Sequence, residues 1–420
     1  MHNKNNNAII FNFRLHRLIF FVICLALLSL SGCTNRSDNV LTNAAANSLH
    51  IKRLIDYQHQ LPDNHPDSIS SLMHLDDDLK KIVSEKFGDS KHAKITVIGL
   101  SDWLLDKDQL AMSYDLSANL TPQEAYNQRV ANCLSFSLLF YALSHHLGVD
   151  MKLNYVDIPN IWGQESPDNL TLYRHVNTVV RMPREYFIVD LAIENYDYGY
   201  PQEIVSVEDV IARLHSNRAT AWLQSDDLEK ALHSIKLAVS LSPSNEDLWI
   251  NLGVIYKKLK KIKHAEEVFL LAYQLNKSNE LTASSLERFY QQQGQLQLAN
   301  KYHSAAKRAR NNNPYYHFEV AQTHYAEQAY KKARVNIKRA ISLHKTDPQF
   351  YQLSSQIEQH LKRYDLALID VVTAHELSRN KDDQDRFAGK ARLISQHIEQ
   401  NDFNLDRLDR AIESRNNLRN

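Results

Sequence analysis

Two series of alanines in the second half of the chain recur with a constant step of 34 residues. One series occupies positions 231, 265, 299, 333 and 367, and the other follows seven residues behind it, at 238, 272, 306, 340 and 374. Two small residues seven apart lie on one helix face, two turns from each other, where a neighbouring helix can approach closely. The period therefore predicts a row of stacked helical units in this half.

One copy of the unit, residues 246–279, resembles the tetratricopeptide repeat, a 34-residue helical hairpin with large apolar residues early and alanines in its second helix. Its residues at the family's positions are Trp249, Leu252, Gly253, Tyr256, Ala265, Phe269 and Ala272. Other copies depart from the pattern; the Trp position, for example, holds Ala283, His317 and Tyr351. The resemblance implies an all-α solenoid of five repeats, with a groove for a protein or peptide partner, at 212–245, 246–279, 280–313, 314–347 and 348–381.

The last residues, 382–420, continue the helical periodicity. A stack of repeats exposes an apolar end, so capping helices with a polar outer face are expected there. The apolar residues expected to share the inner face are Phe387, Ala391, Leu393, Ile394 and Ile398.

The N-terminus has the features of an export signal. An apolar run, too short to span a bilayer, follows basic residues and ends in Leu30-Ser31-Gly32-Cys33. This motif resembles the lipobox of bacterial lipoproteins, which implies removal of residues 1–32 and lipidation of Cys33. Thr34 in place of Asp favours the outer membrane, facing the periplasm. An ordinary signal peptide or a short anchor is the alternative, and residues 33–48, small and polar, are expected to form a flexible tether.

The zero formal net charge hides two halves of opposite sign. Residues 34–211 hold 14 Lys and Arg against 25 Asp and Glu, whereas residues 212–381 hold 25 against 16. A basic half can indicate nucleic-acid binding, but an envelope address argues against it. Attraction between the halves, or to anionic envelope components, is the preferred interpretation.

A single thiol remains in the mature chain. Cys24 leaves with the signal and Cys33 is acylated, so Cys133 has no disulfide partner. Thr121 to Glu124 predict one helix start, and a second helix is expected from about Asn132 to His146. Cys133 then lies in a first helical turn, where free backbone N–H groups favour a thiolate.

Three strand-like runs follow, at 151–157, 174–182 and 185–191, and the last two predict an antiparallel hairpin. A two-residue turn at Met182 and Pro183 would set His175 opposite Asp190. A register shifted by two would make them diagonal neighbours, still on one face, whereas a shift of one would separate them.

The order of a helix-initial Cys, a strand His and a strand Asp resembles the transglutaminase-like thiol superfamily, with its papain-type core. The resemblance covers about residues 95–200 and implies an α+β domain, placed at 49–211, in which Cys133 is the nucleophile, His175 the base and Asp190 the acid that orients the His. There is an alternative for each residue: Cys133 could be buried only as a small hydrophobe, His175 could be structural, and Asp190 could simply end a strand.

Three further residues are weaker candidates. Asn132 could touch substrate, although helix capping is favoured. Asn177 shares the face of His175 and could bond it, or could equally be an ordinary polar strand residue. Trp162 could line a substrate groove or simply pack. No metal ligands at suitable spacing and no sign of a cofactor are found, so cofactors are expected to be none.

Two functions follow from this interpretation. The first is an envelope lipoprotein whose Cys133 performs acyl transfer, as a protease, amidase or crosslinking enzyme, while the repeats dock a partner or substrate. The second is a non-catalytic scaffold in which both parts serve protein–protein interaction. Redox sensing by a lone thiol would need an intermolecular partner.

Overall fold

A computed structural model describes most of the chain from residue 37 onward. The described ranges are 37–58, 61–62, 64–88, 92–156, 175–181, 186–191, 202–378 and 381–400. Cys33 and Trp162 lie outside them, as do the signal region and residues 401–420. None of the helices within these ranges combines the length and the apolar character needed to cross a membrane.

The first part of the chain contributes seven helices and six strands to the described structure. The helices are α1 (37–47), α2 (Leu49–Ile55), α3 (Ile69–Leu72), α4 (Asp77–Phe87), α5 (Ala93–Leu105), α6 (Pro122–Gln128) and α7 (Cys133–His146). The strands are β1 (Ser113–Tyr114), β2 (Val130–Ala131), β3 (Met151–Val156), β4 (His175–Arg181), β5 (Tyr186–Val189) and β6 (Gln202–Val205). The expected capping box at Thr121 and Glu124 opens α6, and Arg129, in the left-handed conformation, ends it.

Strands β3 to β6 form an antiparallel sheet in the order β5-β4-β3-β6. In the β4–β5 hairpin, Thr178 lies opposite Val189 and Arg181 opposite Tyr186. This is the shifted register, not the one set by a two-residue turn, because four residues separate Arg181 from Tyr186. His175 and Asp190 are therefore diagonal neighbours on one face of the sheet.

Helix α7 is buried around most of its circumference. Its expected apolar stripe of Leu134, Leu138, Leu139, Ala142 and Leu143 is buried, but so are Phe136, Phe140 and three serines. One side packs with Leu153, Tyr155 and Val176 of the sheet, and the other with helices α4 and α5. A helix surrounded in this way fixes the position of its first residue, Cys133.

Five helical hairpins and one further helix follow. They are α8 (Val207–Gln224) and α9 (Leu228–Leu241), α10 (Glu246–Lys258) and α11 (Ile262–Leu275), α12 (Glu280–Gln292) and α13 (Leu296–Asn311), α14 (Pro314–Ala326) and α15 (Tyr330–Leu343), α16 (Pro348–His360) and α17 (Tyr364–Leu377), then α18 (Lys381–Gln400). All ten alanines of the two series are buried within these hairpins. The 34-residue period is thus the period of the helix pairs.

The caps and turns of the hairpins keep the same period. The first helices of repeats two to five begin after Asn245, Asn279, Asn313 and Asp347, and each side chain accepts a hydrogen bond from a backbone N–H in the first turn. The turn within each hairpin holds one residue with positive φ, at 226, 260, 294, 328 and 362. Only the third repeat places a glycine there, Gly294.

Gly253, inside helix α10, is explained by packing. A Cβ atom added there would lie 2.5 Å from Cε1 of Phe269 on helix α11. The absence of a side chain therefore lets the two helices of the second repeat close around the Phe269 ring, as the repeat pattern requires.

The start of the chain differs from the flexible tether expected at 33–48. Residues 37–47 are helical, and Val40, Leu41 and Ala44 pack against the core of the repeats. Helix α2 continues this contact, because Ile51 and Leu54 are buried in the same core. Although this stretch is polar overall, Val40, Leu41 and Ala44 lie on one face of the helix. Such an apolar face is enough to hold a helix against a larger body.

The boundary expected between residues 211 and 212 falls inside helix α8. Val210, Ile211 and Leu214 pack against the sheet and α7, while Ala212 and Ala219 belong to the repeat core. The helix begins at Val207, because Ser206 and Asp209 form a capping box. Helix α8 thus contributes side chains to the hydrophobic cores of both halves.

Helix α18 covers the end of the stack, as a cap should. Phe387, Ile394 and Ile398 are buried against the last repeat and Ala391 is half-buried. Leu393 was expected on the same face but is 67% exposed. It directly precedes Ile394, and a step of one residue turns a side chain about 100° around the helix.

Candidate active site

Cys133 is the first residue of α7, and the helix start is well defined. The Oδ1 atom of Asn132 accepts a hydrogen bond from the Ser135 N–H at 2.9 Å, which caps the helix. Its Nδ2 donates to the Leu116 carbonyl and to Asn119 Oδ1. Asn132 is buried and fully used by these bonds, so the structure favours capping over substrate contact for this residue.

The Cys133 thiol is half-buried and meets His175, the first residue of β4. Ser137, one turn further along α7, connects the two elements: its hydroxyl lies 2.7 Å from the Cys133 carbonyl oxygen and 3.0 Å from the carbonyl oxygen of Val176. Sequence reasoning missed Ser137. A serine four residues after the cysteine in an apolar helix is the available signal, because such hydroxyls bond the preceding turn.

His175 is joined to Asp190 by a short hydrogen bond between Nε2 and Oδ2. Both residues are buried, and the Asp190 side chain is fully covered. With Nε2 directed at the carboxylate, Nδ1 is the ring nitrogen left for the sulfur. The structure therefore brings Cys133 and Asp190 to the same imidazole, that of His175.

The electrostatics favour a protonated His175. Burial alone would lower the pKa of this imidazole, but hydrogen bonds and charge attraction from Asp190 and Cys133 outweigh it and raise the pKa to about 9. An imidazolium held against a sulfur at a helix N-terminus stabilises negative charge on that sulfur. The arrangement can supply a nucleophile and, on the same ring, a proton donor.

Asn177 lies on the same face of β4, and its side chain forms hydrogen bonds with Asn154 and Asp190. Its Nδ2 donates to Asp190 Oδ2 at 3.4 Å, so it supports the carboxylate. The shifted hairpin register sets Asn177, and not His175, opposite residue 190. Trp162 lies outside the described residues.

No metal centre is found among the described residues, in which no group of three or more His, Cys, Asp or Glu side chains is arranged to hold an ion. The side chains that meet at the site are a thiol, an imidazole and a carboxylate.

The second half of the chain is similar to known repeat proteins. A family model described as a tetratricopeptide repeat matches residues 246–279. The second half of the chain is an all-α solenoid of helix pairs that resemble this repeat. The match falls on the copy with the fullest set of consensus residues, and the other four helix pairs repeat its period.

Solved structures with similarity to the chain include other repeat proteins. YrrB, described as a tetratricopeptide-repeat protein with an unusual peptide-binding site, is 17% identical over 46% of this chain and 93% of its own, with a TM-score of 0.22. A thermophilic tetratricopeptide-repeat protein of Thermus thermophilus is 18% identical over 43% of this chain and 99% of its own, with a TM-score of 0.23.

PilF of Pseudomonas aeruginosa is 15% identical over 50% of this chain and all of its own, with a TM-score of 0.24. A comparison with curated protein sequences finds no significant match.

Proposed function

We propose that the protein is a thiol acyl-transfer enzyme whose repeats dock a protein partner or substrate. The observation that carries the proposal is the chain of contacts from the half-buried Cys133, at a helix N-terminus, through the buried His175 to Asp190. The resemblance of these three residues to the transglutaminase-like superfamily supports the same chemistry.

The proposed reaction uses the three side chains in turn. Cys133 Sγ attacks a carbonyl carbon and forms a thioester, while His175 gives its proton to the leaving amine as the carbon–nitrogen bond breaks. His175 then takes a proton from the acceptor that attacks the thioester, and the thiolate leaves. Asp190 holds the ring throughout and stabilises its charge. A water acceptor gives a protease or amidase, and an amine acceptor gives a crosslinking enzyme.

The test is covalent trapping with a peptidyl vinyl sulfone, a probe that adds to activated thiols. We expect labelling of the wild-type chain at Cys133, none for Cys133→Ser, and at least about tenfold slower labelling for His175→Gln. Mass spectrometry of the labelled peptide identifies the site. A wild-type chain labelled no faster than after unfolding would overturn the enzymatic proposal.

The repeats themselves favour a second candidate, a scaffold that gathers envelope proteins without chemistry. In this function Cys133→Ala leaves the cellular role intact, whereas substitutions in the repeat groove abolish it. Comparing these two variants in cells separates the candidates, because an enzyme loses its role in the first.

The proposed location is the bacterial outer membrane, with the protein anchored through Cys33 and facing the periplasm. The supporting feature is the Leu30-Ser31-Gly32-Cys33 sequence. Metabolic labelling with an alkyne fatty acid tests it: the wild-type chain should carry the label and Cys33→Ser should lose it. Label retained by Cys33→Ser would contradict the anchor.

A further inference from the structure

A row of polar side chains crosses the sheet behind the site. Asn154 on β3 lies opposite Asn177 on β4, and its Nδ2 donates to Asn177 Oδ1 at 2.9 Å and to Gln202 Oε1 on β6 at 3.1 Å. Asn177 in turn donates to Asp190. Together with His175, the row connects β6, β3, β4 and the end of β5 on one face.

The direction of these hydrogen bonds is fixed by chemistry. An ionised carboxylate only accepts hydrogen bonds, so Asn177 must present its NH₂ group to Asp190. Its oxygen then faces Asn154, which must donate. Any partner unable to donate at position 154 would leave the Asn177 oxygen unpaired or allow the amide to turn its oxygen towards the carboxylate.

The two amides are also costly to bury. Asn154 is 2% exposed and Asn177 is fully buried, whereas apolar residues would fill a buried strand pair without desolvation. A buried amide pair is tolerated when every polar atom has a partner, and such networks specify one arrangement of their members. Here the arrangement ends on the carboxylate that holds His175.

We propose that Asn154 is a positioning residue for the acyl-transfer site. It orients Asn177, and Asn177 holds Asp190 in the rotamer that bonds His175. The inference rests on the proposed function and adds to it a residue 21 positions from Cys133, whose side chain donates hydrogen bonds to Asn177 and Gln202.

The experiment titrates His175 by NMR in the full chain carrying ¹³C-labelled histidine, with the signal assigned by its loss in His175→Gln. The wild-type midpoint is expected near 9. In Asn154→Leu we expect it to move towards the ordinary value of 6.5 by at least about one pH unit, because a misaligned Asp190 stabilises the imidazolium less. Cys133 alkylation by iodoacetamide at pH 8 should slow by roughly tenfold.

Thr178→Val is the matched control. Thr178 is also fully buried on β4, and its hydroxyl donates to the Val189 carbonyl without reaching Asp190. This variant should lose stability but keep the His175 midpoint. If Asn154→Leu does not fold, Asn154→Val, with a side chain suited to a strand, replaces it.

The outcomes are distinct. A midpoint within about 0.3 unit of wild type in a folded Asn154 variant would reduce Asn154 to a structural role and overturn the inference. A wild-type chain whose His175 titrates near 6.5 and whose Cys133 reacts like an unfolded thiol would instead overturn the proposed function.

Discussion

The two halves of the molecule are built on different principles. In the repeats, the same alanines, caps and turn positions recur every 34 residues, so each hairpin depends on neighbours close in sequence. In the first half, the site depends on residues far apart in sequence, because Cys133, His175 and Asp190 meet only when α7 and the β4–β5 hairpin pack together. Repetition makes the repeat array robust, whereas one misplaced contact can disable the site.

Helix α8 joins the two halves, and breaking its packing should have the largest effect. Leu214 is fully buried between α7 and the sheet. Leu214→Ala is expected to lower the free energy of unfolding by about 2–5 kcal/mol, measured by chemical denaturation, because it leaves a cavity.

Leu296→Ala, at a position 65% exposed, is the control and should change stability by less than about 0.5 kcal/mol. Equal, small effects of the two variants would show that α8 does not bind the halves together.

Gly253 tests the close packing inside one repeat. Gly253→Ala should destabilise by about 1–3 kcal/mol in thermal unfolding, because its Cβ would overlap the Phe269 ring. Gly389→Ala, inside α18 with open space around the added atom, should stabilise by roughly 0.5–1 kcal/mol. The account of the repeat packing fails if the two substitutions have the same sign.

His215 and His175 should respond to pH in opposite directions. Burial is the main cause that lowers the pKa of His215 to about 4; Asp67 opposes it, and the charges of Arg218 and His233 add to it. The unfolded chain therefore takes up the proton first as pH falls below about 6.5, and stability declines towards pH 4, by roughly 1–2 kcal/mol between pH 7 and 5.

His215→Gln should remove this decline from the dependence of unfolding free energy on pH. The charge on His175, in contrast, contributes stability that is fully present below pH 6.5 and is lost as pH rises through about 9. An unchanged acid slope in His215→Gln would rule out a buried neutral imidazole at this position.

The smallest expected effects are at the hairpin turns. Lys260 adopts φ of 58°, where a side chain is strained, while Gly294 occupies the equivalent position one repeat later. Lys260→Gly should stabilise slightly and Gly294→Ala should destabilise, each by no more than about 1 kcal/mol in thermal unfolding. Effects of several kcal/mol would indicate that these turns do more than reverse the chain.

The share of the structure that could be predicted from the sequence differed between the two halves, because packing depends on nearby residues in one half and on distant residues in the other. The alanine period indicated the helix pairs directly, since short-range packing repeats in the sequence itself. The Cys133 helix and the His175 hairpin could also be located, but not the hairpin register or the contact of Asn177, which depend on the connection between the strands. Asn154 and Ser137 were missed, because their partners lie across the sheet or on another element and leave no local pattern.

The packing of residues 37–47 and of α2 on the repeats could not be foreseen either. A short, polar stretch is normally a linker, and Val40, Leu41 and Ala44 matter only because they pack against the apolar core of the repeats. The exposed Leu393 shows the converse, an apolar residue that the helix turns to the outside.

The central claim is that His175 activates Cys133, and the alkylation rate of Cys133 tests it most directly. Iodoacetamide should react with the native chain at pH 7 at least about tenfold faster than with the same chain unfolded in urea, and His175→Gln should remove the difference. The alkylation rate of Asp190→Asn should lie between those of the wild-type chain and His175→Gln. A native rate no higher than the unfolded rate, with His175 in place, would contradict the account.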